Sequence, residues 1–358
     1  MSIKPTDDRA YGARNYSEIL AEGLGYINDR RHGRIKSFKT PWLGFNRAGI
    51  NGLEWGSLLT IGARPGSGKT MISSQILREA HKQNPDQDFN ILEFQFEMGA
   101  KQSASRAFAA EVAMDYNIVL STDRQLDDYV YGLMQTHLAE VKAMEAVGIR
   151  RIQINKPLTN KEIVDAVHLY YNKLGGKPMI ITIDHSWLIK KNADEREKIA
   201  TLYNTVEALM QLKNELPVII IMLTQLNRTI DDPSRKNPGS VGNFPTSSDI
   251  FGGDALMQGS DMVAVLNRPY KSDIKIYGPK SYECKSEDVF MHLLKNRNNS
   301  DDNNLIYLKM DGVRQRMIEV PEPASRTASG NSGTGKPKGR SIGQFTTGNV
   351  SADIGDEL

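Results

Sequence analysis

"TIGARPGSGKTMISS", from Thr60 to Ser74, follows an apolar run and precedes a stretch with helical spacing. It contains Gly68-Lys69-Thr70, and Ala63 stands five residues before Gly68, where phosphate-binding loops usually carry a glycine. Gly66 and Gly68 allow backbone conformations that aim successive N–H groups at one anion. A helix opening at Lys69 adds the positive end of its dipole. Lys69 has the reach for β- and γ-phosphates, and the Thr70 hydroxyl is placed to bind Mg²⁺. Ala63, Arg64, Pro65, Gly66, Ser67, Gly68, Lys69 and Thr70 are therefore the expected contacts of a nucleoside triphosphate. The bland alternative is a glycine-rich turn, but Gly-Lys-Thr between a strand and a helix favours the phosphate loop.

The composition bounds what surrounds this loop. With 358 residues the chain can bury one large core or two modest ones. Charged residues make up 25% and the net charge is +2, so any nucleic-acid contact must be local rather than a global field. Cys284 is the single cysteine, which excludes a disulfide framework and a cysteine-rich metal site and suits a reducing cytosol. No apolar stretch approaches the roughly 18 residues of a membrane span, and the start has no signal-peptide pattern. The expectation is a soluble, cytoplasmic protein with no membrane partner.

Three regions follow one another. Residues 1–39 are polar, apart from "SEILAEGLGYINDRR" (Ser17 to Arg31), where Ile19, Leu20, Leu24 and Ile27 recur at helical spacing. Residues 40–321 alternate apolar strands with helices. Residues 322–358 are rich in Gly, Ser, Thr and Pro with few large apolar side chains, so burial cannot offset their ordering entropy and a disordered tail is expected.

The middle region reads as β-α-β repetition. "GSLLTIGA" is a strand and Lys69–Lys82 a helix; "FNILEFQFE" is a second strand, followed by the helix "AKQSASRAFAAEVAM". "RRIQINK" is a third strand. Thr159 and Glu162 form a capping box that opens a helix stopping at Gly175-Gly176. "PMIITID" and "PVIIIMLT" are continuous apolar runs, as expected of parallel strands covered on both faces. From about Asp261, "DMVAVLNR", "DVFMHLLKNR", "NLIYLKMD" and "RQRMIEV" read as a strand meander. The expected fold is α/β: a mostly parallel sheet with helices on both faces, extended by antiparallel strands.

In such sheets ligands lie beyond the carboxyl ends of the strands. "MIITID" ends there in Asp184, an acid placed to hold Mg²⁺ opposite Thr70. "FQFE" delivers Glu97, a candidate to orient and deprotonate an attacking water, or else a solvated strand end. "VIIIMLT" leads to Gln225, whose amide either senses the γ-phosphate or simply ends a strand.

In order along the chain, "TPWLGFNRAGINGLEWGSLLTIGARPGSGKT", "FQFEMGAKQSASRAFA", "MIITIDHSWLI", "IIIMLTQLNR", "SSDIFGGDALMQGSD" and "LLKNRN" resemble the successive motifs of DnaB-type replicative DNA helicases. The resemblance covers roughly Ser17 to Val320. Six motifs in order are far more specific than a phosphate loop alone, and Gly-Ala-Arg-Pro is that family's own opening of the loop, so Ala63 is expected.

The resemblance implies a RecA-like core and a hexameric motor that uses ATP and Mg²⁺, moves 5′ to 3′ on single-stranded DNA and unwinds a replication fork. It implies that Lys69 and Thr70 hold phosphate and magnesium, that Asp184 is the magnesium-side acid and that Glu97 is the catalytic base. Gln225, with Asn227 and Arg228, would couple nucleotide state to DNA. Lys295 and Arg297 match a Lys-x-Arg pair that reaches into the neighbouring subunit's site as a finger; without the family they read as an exposed basic strand end. The Ser17–Arg31 helix matches a linker helix docking on the adjacent subunit, the alternative being packing on its own domain.

The resemblance also implies DNA contacts in two loops, at about Lys190–Arg196 and Ser248–Ala255, with Lys190, Lys191, Phe251, Gly252 and Gly253 as the contacts. Phe251 stands where the family usually has arginine and Asp254 where it usually has glycine. Backbone N–H groups at the two glycines suit phosphate, and Phe251 suits a stacked base; a mobile glycine loop is the bland alternative. Only about 40 residues precede the motor, which resembles minimal phage helicases with a separate primase, loader and polymerase, acting in a host cytoplasm. Two rival functions remain: a RecA-type recombinase filament, which would share the phosphate loop, Glu97 and Asp184, and a non-unwinding ATP-switched loader or packaging module.

Overall fold

Ser57–Ala63 is buried at every residue and forms β1, the strand around which the sheet is built. The computed structural model describes residues 12–238, 241–298 and 305–324. Of the expected tail, 325–358 lie outside the described residues, as do 1–11 of the expected arm. The first helix, α1 (Tyr16–Arg31), is followed by the short α2 (Leu43–Ala48), then β1 and α3 (Lys69–Gln83). Next come β2 (Asn90–Gln95), α4 (Ala100–Glu111), α5 (Tyr116–Val119), α6 (Asp128–Ala146), β3 (Arg151–Ile154) and α7 (Asn160–Lys173). They lead to β4 (Met179–Asp184), α8 (Lys198–Glu215), β5 (Val218–Gln225), α9 (Gly253–Gly259) and β6 (Met262–Asn267). A two-residue hairpin, β7 (Ile276–Tyr277) with β8 (Tyr282–Glu283), precedes β9 (Asp288–Asn296), β10 (Leu305–Asp311) and β11 (Arg316–Glu319).

Nine strands form one sheet in the order β11-β10-β9-β6-β1-β5-β4-β2-β3. β3, β2, β4, β5, β1 and β6 run parallel, and β9, β10 and β11 continue the sheet antiparallel. The expected α/β sheet with an antiparallel extension is present. β6 pairs antiparallel with β9 and parallel with β1, so "DMVAVLN" opens the expected meander and is also the sixth parallel strand.

Alternate residues of each strand face opposite sides, and each side has its own core. Leu59, Ile61, Ile180 and Ile219 pack with Phe45, Ile72 and Ile76 from α2 and α3. Leu58, Ile181 and Ile220 pack with Ile163, Leu202, Val206 and Leu256 from α7, α8 and α9. Burial on both faces is why these strands read as unbroken apolar runs. The Thr159–Glu162 capping box opens α7 as expected. Trp42 Nε1 donates to the Met317 carbonyl, and Gly44 N donates to the Glu319 carboxylate, fastening the segment before β1 to β11.

α1 is different. None of its residues is buried, and Ile19, Leu20, Leu24 and Ile27 are 46 to 69% exposed. Its last turns are held to the body through Tyr26 and Arg30, which bond Glu54, and Arg30, which also bonds Ser37.

Candidate nucleotide site

β1 leads straight into the glycine-rich loop, and the loop already has the conformation an anion site needs. Gly66 and Gly68 have φ of +77° and +91°, a region that side-chain-bearing residues avoid. A Cβ on Gly68 would meet the Met317 and Met310 methyl groups at 2.1 and 2.8 Å, so those side chains would have to swing aside. α3 begins at Lys69, placing its amino end over the loop. The Arg64 guanidinium donates to the Leu226 carbonyl at 3.1 Å and pairs with Asp231 at 2.8 Å, so this side chain ties the loop to the segment after β5.

The carboxyl ends of β2, β4 and β5 bring the remaining groups to the same edge. Thr70 Oγ1 donates to Asp184 Oδ2 at 3.0 Å, and Lys69 Nζ lies 3.8 Å from Asp184 Oδ1. Burial pulls the Lys69 ammonium below the ordinary lysine range, while Asp184 and Glu97 oppose that shift. Glu97 is half-exposed, with Oε2 3.9 Å from His185 Nε2. Gln225 Nε2 lies 3.3 Å from the same His185 nitrogen. Lys69, Thr70, Glu97, Gln225 and the loop residues Pro65, Gly66 and Gly68 line one cleft of about 730 Å³.

Two neighbours escaped the sequence reading. Gln95 pairs with Asp184 across the β2–β4 ladder; its Nε2 lies 3.4 Å from Asp184 Oδ2 and its Oε1 accepts from Glu97 N at 3.3 Å. His185 is buried between Glu97 and Gln225, and burial, with Lys69 and Lys198 nearby, lowers its pKa to about 4, so it is neutral at pH 7. The position of each, at or beside a strand end on this edge, was the available signal.

A divalent cation fits this arrangement. Asp184 Oδ1 is buried without a hydrogen-bond partner, beside the Thr70 hydroxyl and facing the cleft's lysine. Among the described residues no cluster of three or more His, Cys, Asp or Glu could cage a metal alone. A hard cation held by one hydroxyl and one carboxylate takes its other ligands from phosphate and water, which is the habit of Mg²⁺.

Lys295 and Arg297 are not gathered into this cleft. Lys295 pairs with Val263 on β6, and Arg297 N donates to the Asp261 carbonyl, whose own N–H donates to Leu58 at the start of β1. At about 3.3 Å of rise per residue, that end of β1 is roughly 16 Å along the sheet from Ala63. The Lys190, Lys191, Arg228, Phe251, Gly252 and Gly253 positions follow the carboxyl ends of β4 and β5, on the cleft's edge of the sheet. Gly252 has φ of +66° and Gly253 is buried.

The sequence model of the DnaB-like helicase C-terminal domain matches residues 40–311. The chain belongs to that family. Among curated relatives, the replicative DNA helicase DnaB of Helicobacter pylori (strain ATCC 700392 / 26695) is 27% identical over 311 residues, covering 85% of this chain and 57% of the relative. The DnaB of Haemophilus influenzae is 24% identical over 217 residues, covering 61% and 43%. The chain thus spans about half the length of the curated relatives it matches. Among solved structures, an ATPase domain superposes with a TM-score of 0.67 at 18% identity, over 84% of this chain and 99% of that one. A DnaB-like replicative helicase, solved in a study of its interactions with primase, gives 0.65 at 18%, over 84% and 66%. These two likenesses establish the fold.

Proposed function

We propose that the chain is the ATP-hydrolysing motor of a ring-forming replicative DNA helicase that moves along single-stranded DNA. The observation that carries this reading is the meeting of Thr70, Asp184 and Lys69 over a phosphate-type loop, in a member of the DnaB-like family. The loop N–H groups and the α3 amino end bind the triphosphate, and Lys69 neutralises its terminal charge. Thr70 and Asp184 would hold Mg²⁺, which would supply the positive charge that stabilises negative charge building up on the phosphates. Glu97, exposed at the cleft edge, orients a water and takes its proton. Gln95, through the Glu97 main chain and the Asp184 carboxylate, keeps these two acids in register.

Lys295 and Arg297 lie too far from their own loop to serve it, which supports action on a neighbouring subunit. A cation arriving from a neighbour makes hydrolysis depend on assembly. The exposed apolar face of α1 supports docking in trans and a homohexamer. Lys190, Lys191, Arg228 and the Phe251–Gly253 loop would face DNA, with Gln225 linking them to the nucleotide. A separate primase, loader and polymerase, and action in the cytoplasm, complete the reading.

Hydrolysis measured with and without single-stranded DNA, beside a fork-unwinding assay, tests it. DNA-stimulated hydrolysis with unwinding is the expected result. Strand exchange without unwinding would make the chain a recombinase, and hydrolysis indifferent to DNA would make it a switch.

A further inference from the structure

Trp187 and Phe251 come from different loops and meet. Trp187 lies in the single helical turn Ser186–Leu188 after β4, and Phe251 follows β5. Their ring centroids are 4.4 Å apart with planes at 76°, an edge-to-face pair. Trp187 is nevertheless 41% exposed, whereas Trp42 is 2% exposed and Trp55 is half-buried. The pairing is built in. Gly252, with its positive φ, leaves room for Leu202 of α8; a Cβ there would stand 2.1 Å from Leu202 Cδ2. The Phe251 loop is pinned at Phe251 N to Gln225 O (3.0 Å) and at Asn227 N to Asp249 O (2.7 Å). Arg235 grips the buried Asp249 carboxylate from behind.

The surroundings favour a ligand with flat π faces and negative charge. Lys198 Nζ lies 5.8 Å from the Trp187 ring centroid, and Lys190 and Lys191 leave the same loop. Glu195, among them in sequence, is turned inward and takes hydrogen bonds from Asn192 and Asn204. Asp194, Glu197 and Asp254 remain exposed nearby, so this edge is not a purely basic groove that phosphate attraction alone would fill. Stacking supplies what the charge balance lacks.

We infer that Trp187 and Phe251 form a platform on which bases of single-stranded DNA stack. This rests on the DNA-motor reading and adds to it a contact with bases rather than phosphates. The platform is also wired to the nucleotide cleft. Phe251 N–H bonds the carbonyl of Gln225, while the Gln225 amide meets His185, two residues before Trp187. A displacement of Gln225 by the terminal phosphate is therefore passed to both rings.

The test uses the full chain with a non-hydrolysable ATP analogue, at fixed salt. Two probes of equal length are compared, a thymidine oligonucleotide and an abasic strand with the same phosphate backbone. The thymidine strand should bind about tenfold tighter, the scale of stacking on one or two rings. Trp187→Leu or Phe251→Ala should erase that preference while nucleotide binding is unchanged, and Trp187→Phe should keep most of it. Thymidine strand should also quench tryptophan emission, and the quenching should vanish in Trp187→Leu although Trp42 and Trp55 remain. Equal affinity for both strands, or a preference that survives Trp187→Leu, overturns the platform but leaves the DNA motor standing. Failure to bind either strand overturns both. Emission that tracks protein concentration and ignores the oligonucleotide would make the pair a subunit contact and overturn the platform.

Discussion

Arg297 Nη1 lies 3.2 Å from Asp261 Oδ1, while the other oxygen of that carboxylate accepts from Lys213 Nζ at 2.7 Å and from Leu58 N at 2.8 Å. The arginine is half-exposed and leaves the amino end of β1, away from its own phosphate loop. If it completes a neighbour's site, Arg297→Ala should lower DNA-stimulated hydrolysis about a thousandfold, the usual scale for such a cation. Nucleotide binding should persist, because Lys69, Thr70 and Asp184 are untouched. Mixing Arg297→Ala with Glu97→Gln rebuilds a site with one protein's glutamate and the other's arginine. Some hydrolysis should return once subunits exchange. No recovery despite demonstrated exchange would point to an arginine acting in cis.

The same carboxylate has a structural duty that can be measured apart from activity. The Lys213 and Asp261 side chains are only 8% and 16% exposed, so the lysine's charge is matched inside the body. Asp261→Asn removes that match and leaves a buried cation. Unfolding in urea should show a loss of about 3 kcal/mol, as when one partner of a buried pair is deleted. A loss under about 1 kcal/mol would mean that water reaches the pair and screens it.

Lys69 and Glu97 separate binding from chemistry. On the proposed reading Lys69 faces the terminal phosphate, so Lys69→Ala should abolish hydrolysis; ordinary turnover would sink the phosphate-loop reading. Glu97→Gln keeps shape and hydrogen bonding but takes no proton. Nucleotide should still bind, with hydrolysis slowed at least about a hundredfold. An unchanged rate would move the base to another residue.

The parts legible in the sequence were those whose environment writes a pattern. β1, β4 and β5 are buried on both faces and read as continuous apolar runs. The capping box at Thr159 names its own helix start. The composition of β6 says strand but not which neighbour it takes, and pairing with β1 made it parallel. α6 went unread because Tyr129, Tyr131, Leu133, Leu138 and Met144 are scattered and 37 to 73% exposed, leaving no clean apolar stripe. Gln95 and His185 join the site through ladder register and a turn, which residue order alone does not contain.

His292 should make the fold sensitive to acid. It is 5% exposed on β9, and burial lowers its pKa to about 3. Asn267 donates to the Tyr277 oxygen at 2.8 Å, and that oxygen lies 2.7 Å from His292 Nε2. Below the ordinary histidine pKa of about 6.5 the unfolded chain takes up a proton that the folded chain refuses, so stability falls as pH drops. Between pH 7 and pH 5 this one group costs about 2 kcal/mol. His292→Gln keeps a partner for Tyr277 and does not titrate. Urea unfolding at the two pH values should show that much less acid loss in the variant, and equal losses would remove His292 as the cause.

α1 offers the sharpest division between folding and assembly. Its apolar residues Ile19, Leu20, Leu24 and Ile27 contribute nothing to either core, and its attachments to the body are polar, through Tyr26 and Arg30. The core segment begins later, at the fully buried Phe38. Removing residues 1–35 should therefore leave subunit stability within about 0.5 kcal/mol, the range of changes to exposed positions. An exposed face of that size has most to gain by covering itself with a neighbouring copy. Light scattering with ATP analogue should then find the truncated chain mainly as smaller species at concentrations where the full chain assembles. Unchanged assembly would refute docking in trans. Loss of both assembly and unfolding stability would instead place α1 on its own domain, and comparing the two measurements on one sample separates the cases.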